Sequence, residues 1–573
     1  MTSLPFKYGS KFPTRQLVFL TSVSCLFSLT LWFLAPKTVS SDIYFNHIVK
    51  TFAYLSDFFS YVQKTGGSTD WSALHISAAV TGTIFILWPI ILLTVLGPII
   101  SSLLKNQNDS RFANRSEVER MGLHGDLGPV LGVHEGVVLK PSETRHVCVI
   151  APTRAGKTRQ AISTVLDYPG SIIAIDPKSE IKVLTEDHRS QMGDTFSINW
   201  ADPNTKDGWN FLSLRSIKKD PIERERQALR FAGVIVPPNP SVKDPTWDDK
   251  ARLNTGAFIL FEMCEALREN RDGHIKNVRS LFTDLPIVKE SEDKEENTDP
   301  FTLKMAQIAE TAINNNYPRY IIETVMAFGQ MHAGGERSSH ISTLETKFQY
   351  FASESSRNAL AKDSFQFADL RSRPATVYID FPQEDAAAFG GITSLFIDSL
   401  VAWTLGNGRK EGEYPILILI DEFRDLPFIG QLPSLFTKGA GAGVGVMTIV
   451  QSLEQIKERY DRVSHNLLDN YEYFVVFGLP NHETQKMLSA IVGERAVQKK
   501  SETKQGFNLF GSNTKSEQRE QLIKPSDWGV IPFGHHIVLA NRHFIRPIYC
   551  KSAFWDQLSK YRRRVPRKNR IKT

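Results

Sequence analysis

The sequence predicts an α/β fold on a largely parallel sheet, with an inserted all-α domain and an N-terminal two-helix transmembrane hairpin. Three observations predict it. Short apolar runs of strand type alternate with helical patterns from about Gly122 to Tyr549, the alternation that builds a parallel sheet covered by helices. Between roughly Ser213 and Glu336 the strand signals stop and helical periodicity takes over, which marks an insertion. Ahead of both, Leu17 to Ala35 and Trp71 to Leu104 are apolar runs without Asp, Glu, Lys or Arg, each long enough to cross a bilayer as a helix.

The membrane hairpin occupies residues 1–105, with spans at about 17–35 and 73–100 and an outward loop at 36–70. Lys7, Lys11 and Arg15 precede the first span and Lys105, Arg111, Arg115 and Arg120 follow the second. The positive-inside rule therefore places both termini in the cytoplasm. A cleaved signal peptide is the alternative for the first span, but its apolar region is longer than usual and no clear small-x-small site follows Pro36. Pro89 and Pro98 either kink the second helix or mark its exit.

The chain of 573 residues has room for about three to four domain-sized units. With 41% hydrophobic and 23% charged residues it is neither disordered nor fibrous. Cys25, Cys148, Cys264 and Cys550 lie far apart with no CxxC, so neither a zinc site nor a disulfide framework is indicated, and a reducing compartment suits the bulk of the chain. The net charge of +6 is uneven, because Tyr561 to Thr573 carries seven Lys and Arg residues. Residues 556–573 read as a basic tail that touches nucleic acid or anionic lipid, or is a solvated disordered end.

The stretch His146 to Thr158 organises the rest. Val147 to Ile150 is a short strand, and Ala151-Pro-Thr-Arg-Ala-Gly-Lys-Thr158 leads into a helix over about Arg159 to Leu166. This strand-loop-helix order suits a phosphate-binding loop, whose backbone N–H groups and helix N-terminus face the phosphates. Thr153, Arg154, Ala155, Gly156, Lys157, Thr158 and Arg159 are the candidate nucleotide contacts. Lys157 reaches the phosphate oxygens and Thr158 ligates Mg²⁺. Ala151 departs from the usual GxxxxGK[ST], which has Gly there.

Ser171 to Ile175 reads as a buried strand ending at Asp176-Pro-Lys-Ser-Glu180, and Asp194 to Asp202 as a further strand and turn. Helices are expected at Asp248 to Leu267 and Phe301 to Met331, with an acidic surface loop at Lys289 to Asp299. Strands return at Ala375 to Asp380, followed by a helix over about Asp385 to Leu405. Tyr414 to Glu422 is an apolar strand that ends in two carboxylates, Asp421 for Mg²⁺ and Glu422 to orient or deprotonate water. Gly445 to Val450 ends at Gln451, placed to sense the γ-phosphate through water. Tyr473 to Phe477 is another strand, Glu483 to Ile491 a helix, Lys499 to Gln521 a mobile loop or hairpin, and Trp528 to Tyr549 a set of short closing strands.

These segments, in this order, resemble the coupling ATPases of type IV secretion and conjugation systems, the TraG/TraD family. The match lies in Ala151 to Thr158, Asp176 to Glu180, Ile420-Asp-Glu-Phe423 and Ile449 to Gln455 with the strand near Tyr473. The resemblance implies a RecA-like nucleotide-binding domain at 106–212 and 337–555, a helical domain at 213–336 that meets cargo, and a hairpin in the bacterial inner membrane. It further implies ATP and Mg²⁺ as cofactors and a hexameric homo-oligomer. The implied partners are the secretion channel and relaxase-bound DNA or effector proteins. Members of the family tolerate Ala at the first loop position. Where some carry an arginine finger in Thr-Lys-Gly-Arg, this chain has Thr437-Lys-Gly-Ala440, and Lys438, Arg424 and Arg357 are the substitutes at hand. Two competing readings are an FtsK-like translocase of double-stranded DNA and a nucleotide-gated docking receptor with little hydrolysis.

Overall fold

In the computed structural model, residues 111–570 are described apart from 238–245, 287–298, 333, 427, 503–512 and 542–545. The expected membrane hairpin, nearly all of the acidic stretch and the tip of the 499–521 segment lie outside the described residues.

The strands in chain order are β1 (Gly132–His134), β2 (Val137–Leu139), β3 (Val147–Ile150), β4 (Ser171–Ile175), β5 (Asp194–Asn199), β6 (Ala375–Asp380), β7 (Ile416–Ile420), β8 (Val444–Val450), β9 (Tyr473–Val476), β10 (Glu494–Glu502), β11 (Asn513–Gln521), β12 (His535–Ala540) and β13 (Ile548–Lys551). Eleven of them form one sheet in the order β2-β1-β13-β12-β9-β3-β8-β7-β4-β6-β5. From β9 to β5 every pairing is parallel, and from β9 to β2 every pairing is antiparallel. Strands β3, β4, β7 and β8 are buried along their whole length, which explains why they read as unbroken apolar runs. The parallel register puts the carboxyl ends of β3, β8, β7, β4 and β6 on one edge, where an open α/β sheet places its ligand.

Between β5 and β6 the described residues are helical, from Pro221–Ile235 to Asp369–Ser372. Caps written in the sequence start several of these helices. Asp220 accepts from the Glu223 N–H ahead of Pro221, and Asp299 accepts from the Thr302 N–H ahead of Pro300. The helices run past residue 336, where the sequence suggested that the sheet domain resumes, and strand structure returns at Ala375. The expected helix over Phe301 to Met331 is two, Pro300–Asn314 and Arg319–Gly329, broken where Asn316 turns left-handed (φ +58°) ahead of Pro318. These helices share one continuous apolar core with one face of the sheet, from Phe258 and Phe328 through Trp209 to Ile418. The Ala386–Asn407 helix is long and apolar enough to cross a membrane by composition, yet Ile392, Leu395, Phe396 and Leu400 are buried in that core.

The opposite face of the sheet has a second core, which holds the outer end of the chain. Here the reading of this end as solvated and disordered is corrected. Tyr561 and Val565 are fully buried, and Lys560, Arg564 and Lys140 converge on Asp167 at 2.8, 2.9 and 3.1 Å. Asn569 donates to the Val183 carbonyl at 2.8 Å. Tyr561 and Val565, four positions apart, dock the segment, and Lys560 and Arg564 pair with Asp167 while Arg562, Arg563 and Arg567 stay exposed. Trp528, expected to open a strand, instead lies in the Pro525–Gly529 helix, where its indole N–H donates to Ser489 Oγ. The 499–521 segment is bounded by the antiparallel pair β10 and β11, and Cys148, Cys264 and Cys550 are buried and free.

Candidate functional site

The loop after β3 begins with Ala151, which is fully buried and donates its N–H to the Val450 carbonyl of β8 at 3.0 Å. The chain then turns through Arg154 (φ +66°) to Gly156 (φ +91°) and enters the Lys157–Asp167 helix. Gly156 is required twice over. Its backbone is left-handed, and a Cβ there would stand 2.5 Å from the Phe554 ring. Thr153 and Arg154 are exposed, Ala155 and Gly156 half-buried, and Lys157 is buried.

Two carboxylates at the end of β7 meet the start of this helix. Lys157 Nζ donates to Glu422 Oε1 at 3.0 Å, and Thr158 Oγ1 lies 3.3 and 3.4 Å from the two oxygens of Asp421. The four central residues named from sequence therefore come together across a separation of more than 260 positions. Gln451 follows Val450, which is in register with Ile150, so it stands on the same edge beside the loop, with its N–H donated to Gln455 Oε1. Arg159 is placed differently. Its guanidinium is bound to the Asp556 carboxylate (Nε to Oδ1, 3.1 Å) and lies 4.3 Å over the Phe554 ring.

Sequence reasoning missed the neighbours supplied by β4 and β6. Lys178 Nζ lies 3.6 Å from Glu422 Oε1, so that carboxylate has two cations. Asp176 and Asp380 end the adjacent strands. Asp176 accepts from the Lys182 N–H at 2.9 Å, Asp380 accepts from Ser179 Oγ at 2.8 Å, and each keeps one buried oxygen without a partner. Burial, reinforced by Asp421 and Asp380, pushes the Asp176 carboxyl up to about 7 against the Lys182 hydrogen bond. Burial likewise lifts Asp421 to about 6, with Glu422 and Glu180 adding to the rise and Lys157 and Lys178 opposing it. Each of these strands visibly ends in Asp, but only the order β7-β4-β6 shows that the three are neighbours.

The missing arginine position is on the other edge. Thr437 to Gly443 precede β8, so Lys438, which is exposed, and Ala440 lie at its amino end, away from this chain's own loop. Arg424 is exposed just past Glu422, and Arg357 is half-buried with Nε donated to the Ser353 carbonyl.

The donor set fits a magnesium nucleotide. A hydroxyl and a carboxylate, Thr158 Oγ1 and Asp421, are hard oxygen donors suited to Mg²⁺ completed by phosphate and water.

The family described as type IV secretory system conjugative DNA transfer matches residues 104–573. Protein VirD4 of Rhizobium radiobacter is 24% identical over 464 residues, covering 76% of this chain and 62% of that protein. Conjugal transfer protein TraG of Agrobacterium fabrum is 23% identical, covering 72% and 60%. The chain thus spans about three fifths of the length of these curated relatives. Among solved structures, unbound bacterial conjugative coupling protein TrwBdeltaN70 superposes with a TM-score of 0.56 at 17% identity, covering 79% of this chain and 95% of that one. Plasmid coupling protein TrwB in complex with ADP and Mg²⁺ gives 0.55 at 16%, covering 79% and 96%. These likenesses establish a TrwB-like fold, and the match over residues 104–573 settles the family: this chain belongs to the type IV secretory system conjugative DNA transfer proteins.

Proposed function

We propose that this chain is a membrane-anchored ATPase that receives cargo and delivers it to a type IV secretion channel. The observation that carries the proposal is the meeting of Lys157 and Thr158 with Glu422 and Asp421 at 3.0 to 3.4 Å. ATP with Mg²⁺ would supply a phosphoanhydride bond whose hydrolysis drives the work. Lys157 and the N–H groups of residues 153–158 hold the phosphates, Thr158 and Asp421 hold the metal, and Gln451 orients water on the same edge. Glu422 is the carboxylate that takes up the water's proton. Lys157 and Lys178 stand beside Glu422 Oε1 at 3.0 and 3.6 Å and hold that carboxylate at the loop. Arg159 assists through its backbone, since its side chain belongs to the Asp556 contact.

The wider proposal is a hexamer with nucleotide between neighbours, anchored in the bacterial inner membrane by a hairpin at 1–105, both termini cytoplasmic. The helical segment faces the cargo, which is relaxase-bound DNA or effector protein. The description of TraG as a conjugal transfer protein supports the transfer part of this reading. Lys438, exposed on the edge opposite this chain's loop, is the residue best placed to reach a neighbour's nucleotide.

One observation favours a second reading. Ala440 leaves the Thr437–Gly443 segment without an arginine, which would forfeit about 10³-fold in rate if nothing replaces it, and a nucleotide-gated docking receptor would need no such rate. ATP turnover of the full chain with and without DNA separates the two. Strong stimulation by DNA supports a pump, and no turnover at any protein concentration supports a receptor.

A further inference from the structure

Phe533 is 65% exposed on the turn between the Pro525–Gly529 helix and β12. A lone exposed aromatic is ordinary on a protein surface, but the position of this one is not. Its ring centroid lies 5.7 Å from that of Phe554. Phe554 is fully buried, stands against Gly156 and carries the Arg159 guanidinium over its face at 4.3 Å. Aromatic surface therefore runs without a break from the last loop residue before Lys157 out to solvent.

The turn is held in place. The Ser552 N–H donates to the Gly534 carbonyl at 2.8 Å, the His535 N–H donates to the Pro532 carbonyl at 3.0 Å, and Ile531 packs against the core. Gly534 adopts φ +81° to make the bend.

Sheet order decides which part of a nucleotide would lie here. On one side of β3 are β8 and β7, which bring Asp421 and Glu422 and so face the terminal phosphate. On the other side are β9, β12 and β13, and Phe533 and Phe554 border β12 and β13. A nucleotide lying along the loop with its terminal phosphate at Lys157 sends its base toward that second side.

We infer that Phe533, backed by Phe554, is the stacking platform for the base of a bound nucleoside di- or triphosphate. The inference rests on the nucleotide reading proposed above. A π-face accepts any base, so the platform contributes affinity without choosing adenine over guanine.

The test uses the full-length chain with ADP and inorganic tripolyphosphate as probes. Phe533→Ala is expected to raise the dissociation constant for ADP by about tenfold and to leave tripolyphosphate binding within about twofold. Phe533→Trp keeps ADP affinity, and its fluorescence responds to ADP and not to tripolyphosphate. Unchanged ADP affinity in Phe533→Ala overturns the inference, and a change in self-association in its place assigns the ring to a contact with a second copy. Equal loss of both ligands overturns it as well. Lys157→Ala tells the two levels apart, because it should weaken both probes. If it weakens neither while Phe533→Ala loses ADP, the platform stands and the phosphate-loop assignment falls.

Discussion

Tyr561 lies in the segment whose composition reads as a solvated tail, and replacing it separates charge from packing. Its side chain is fully buried in the core beneath the Lys157–Asp167 helix, with its hydroxyl 3.2 Å from Asp167 Oδ2. Tyr561→Ala deletes a large buried ring and should cost about 3–4 kcal/mol. Tyr561→Phe loses one hydrogen bond and should cost about 0.5–1.5 kcal/mol, because Asp167 retains Lys140, Lys560 and Arg564. Arg563, exposed on the same segment, should tolerate Ala within about 0.5 kcal/mol. Amide hydrogen exchange read by mass spectrometry reports the outcome where it matters. Protection of the Lys157–Asp167 helix should fall by about 100-fold or more in Tyr561→Ala and stay near wild type in Arg563→Ala. A fall of less than about threefold in Tyr561→Ala would refute the docking of this segment as a support of the nucleotide loop.

Other perturbations probe the site's edges. Gly156→Ala places a methyl group against Phe554 in a left-handed backbone, so ADP affinity measured by calorimetry should drop at least about tenfold, and wild-type affinity would contradict the geometry. Ser179 is held at φ +56° and donates to Asp380. Gly there relieves the strain and Ala does not, so Ser179→Gly should unfold with about 1 kcal/mol more stability than Ser179→Ala, and equal stabilities would contradict a left-handed turn. Asp176, lifted to about 7 by burial, keeps its proton at pH values where the unfolded chain has lost it. Its contribution therefore favours the fold in mild acid and is lost as pH rises through about 7. Melting temperature should fall from pH 6 to pH 8 more steeply in the wild type than in Asp176→Asn, and identical slopes would remove Asp176 as the titrating group.

The parts of the fold visible in the sequence are those whose signal is local. The fully buried strands β3, β4, β7 and β8 announce themselves as apolar runs, and Lys157-Thr158 and Asp421-Glu422 stand at their ends. Ala151, an apparent flaw in the loop, is a fully buried residue bonded to β8 through its backbone, a position where a small side chain fits. Contacts that depend on strand order stayed hidden. Lys178 beside Glu422 and the trio Asp176, Asp380 and Asp421 become neighbours only because β4 lies between β7 and β6. The end of the chain misled for a different reason. Counting its Lys and Arg residues drew attention from Phe554, Tyr561 and Val565, whose burial decides where the segment goes. Arg159 followed from the same omission, since its partner Asp556 lies 397 residues away.

The central claim is that Lys157 and Glu422 belong to one hydrolytic site, and the most direct measurement is ATP turnover by the full chain in wild type, Lys157→Ala and Glu422→Gln. Both variants should lose about 100-fold or more in rate, and Glu422→Gln should still bind ADP because Lys157, Thr158 and Asp421 remain. Wild-type turnover in both variants would contradict the account.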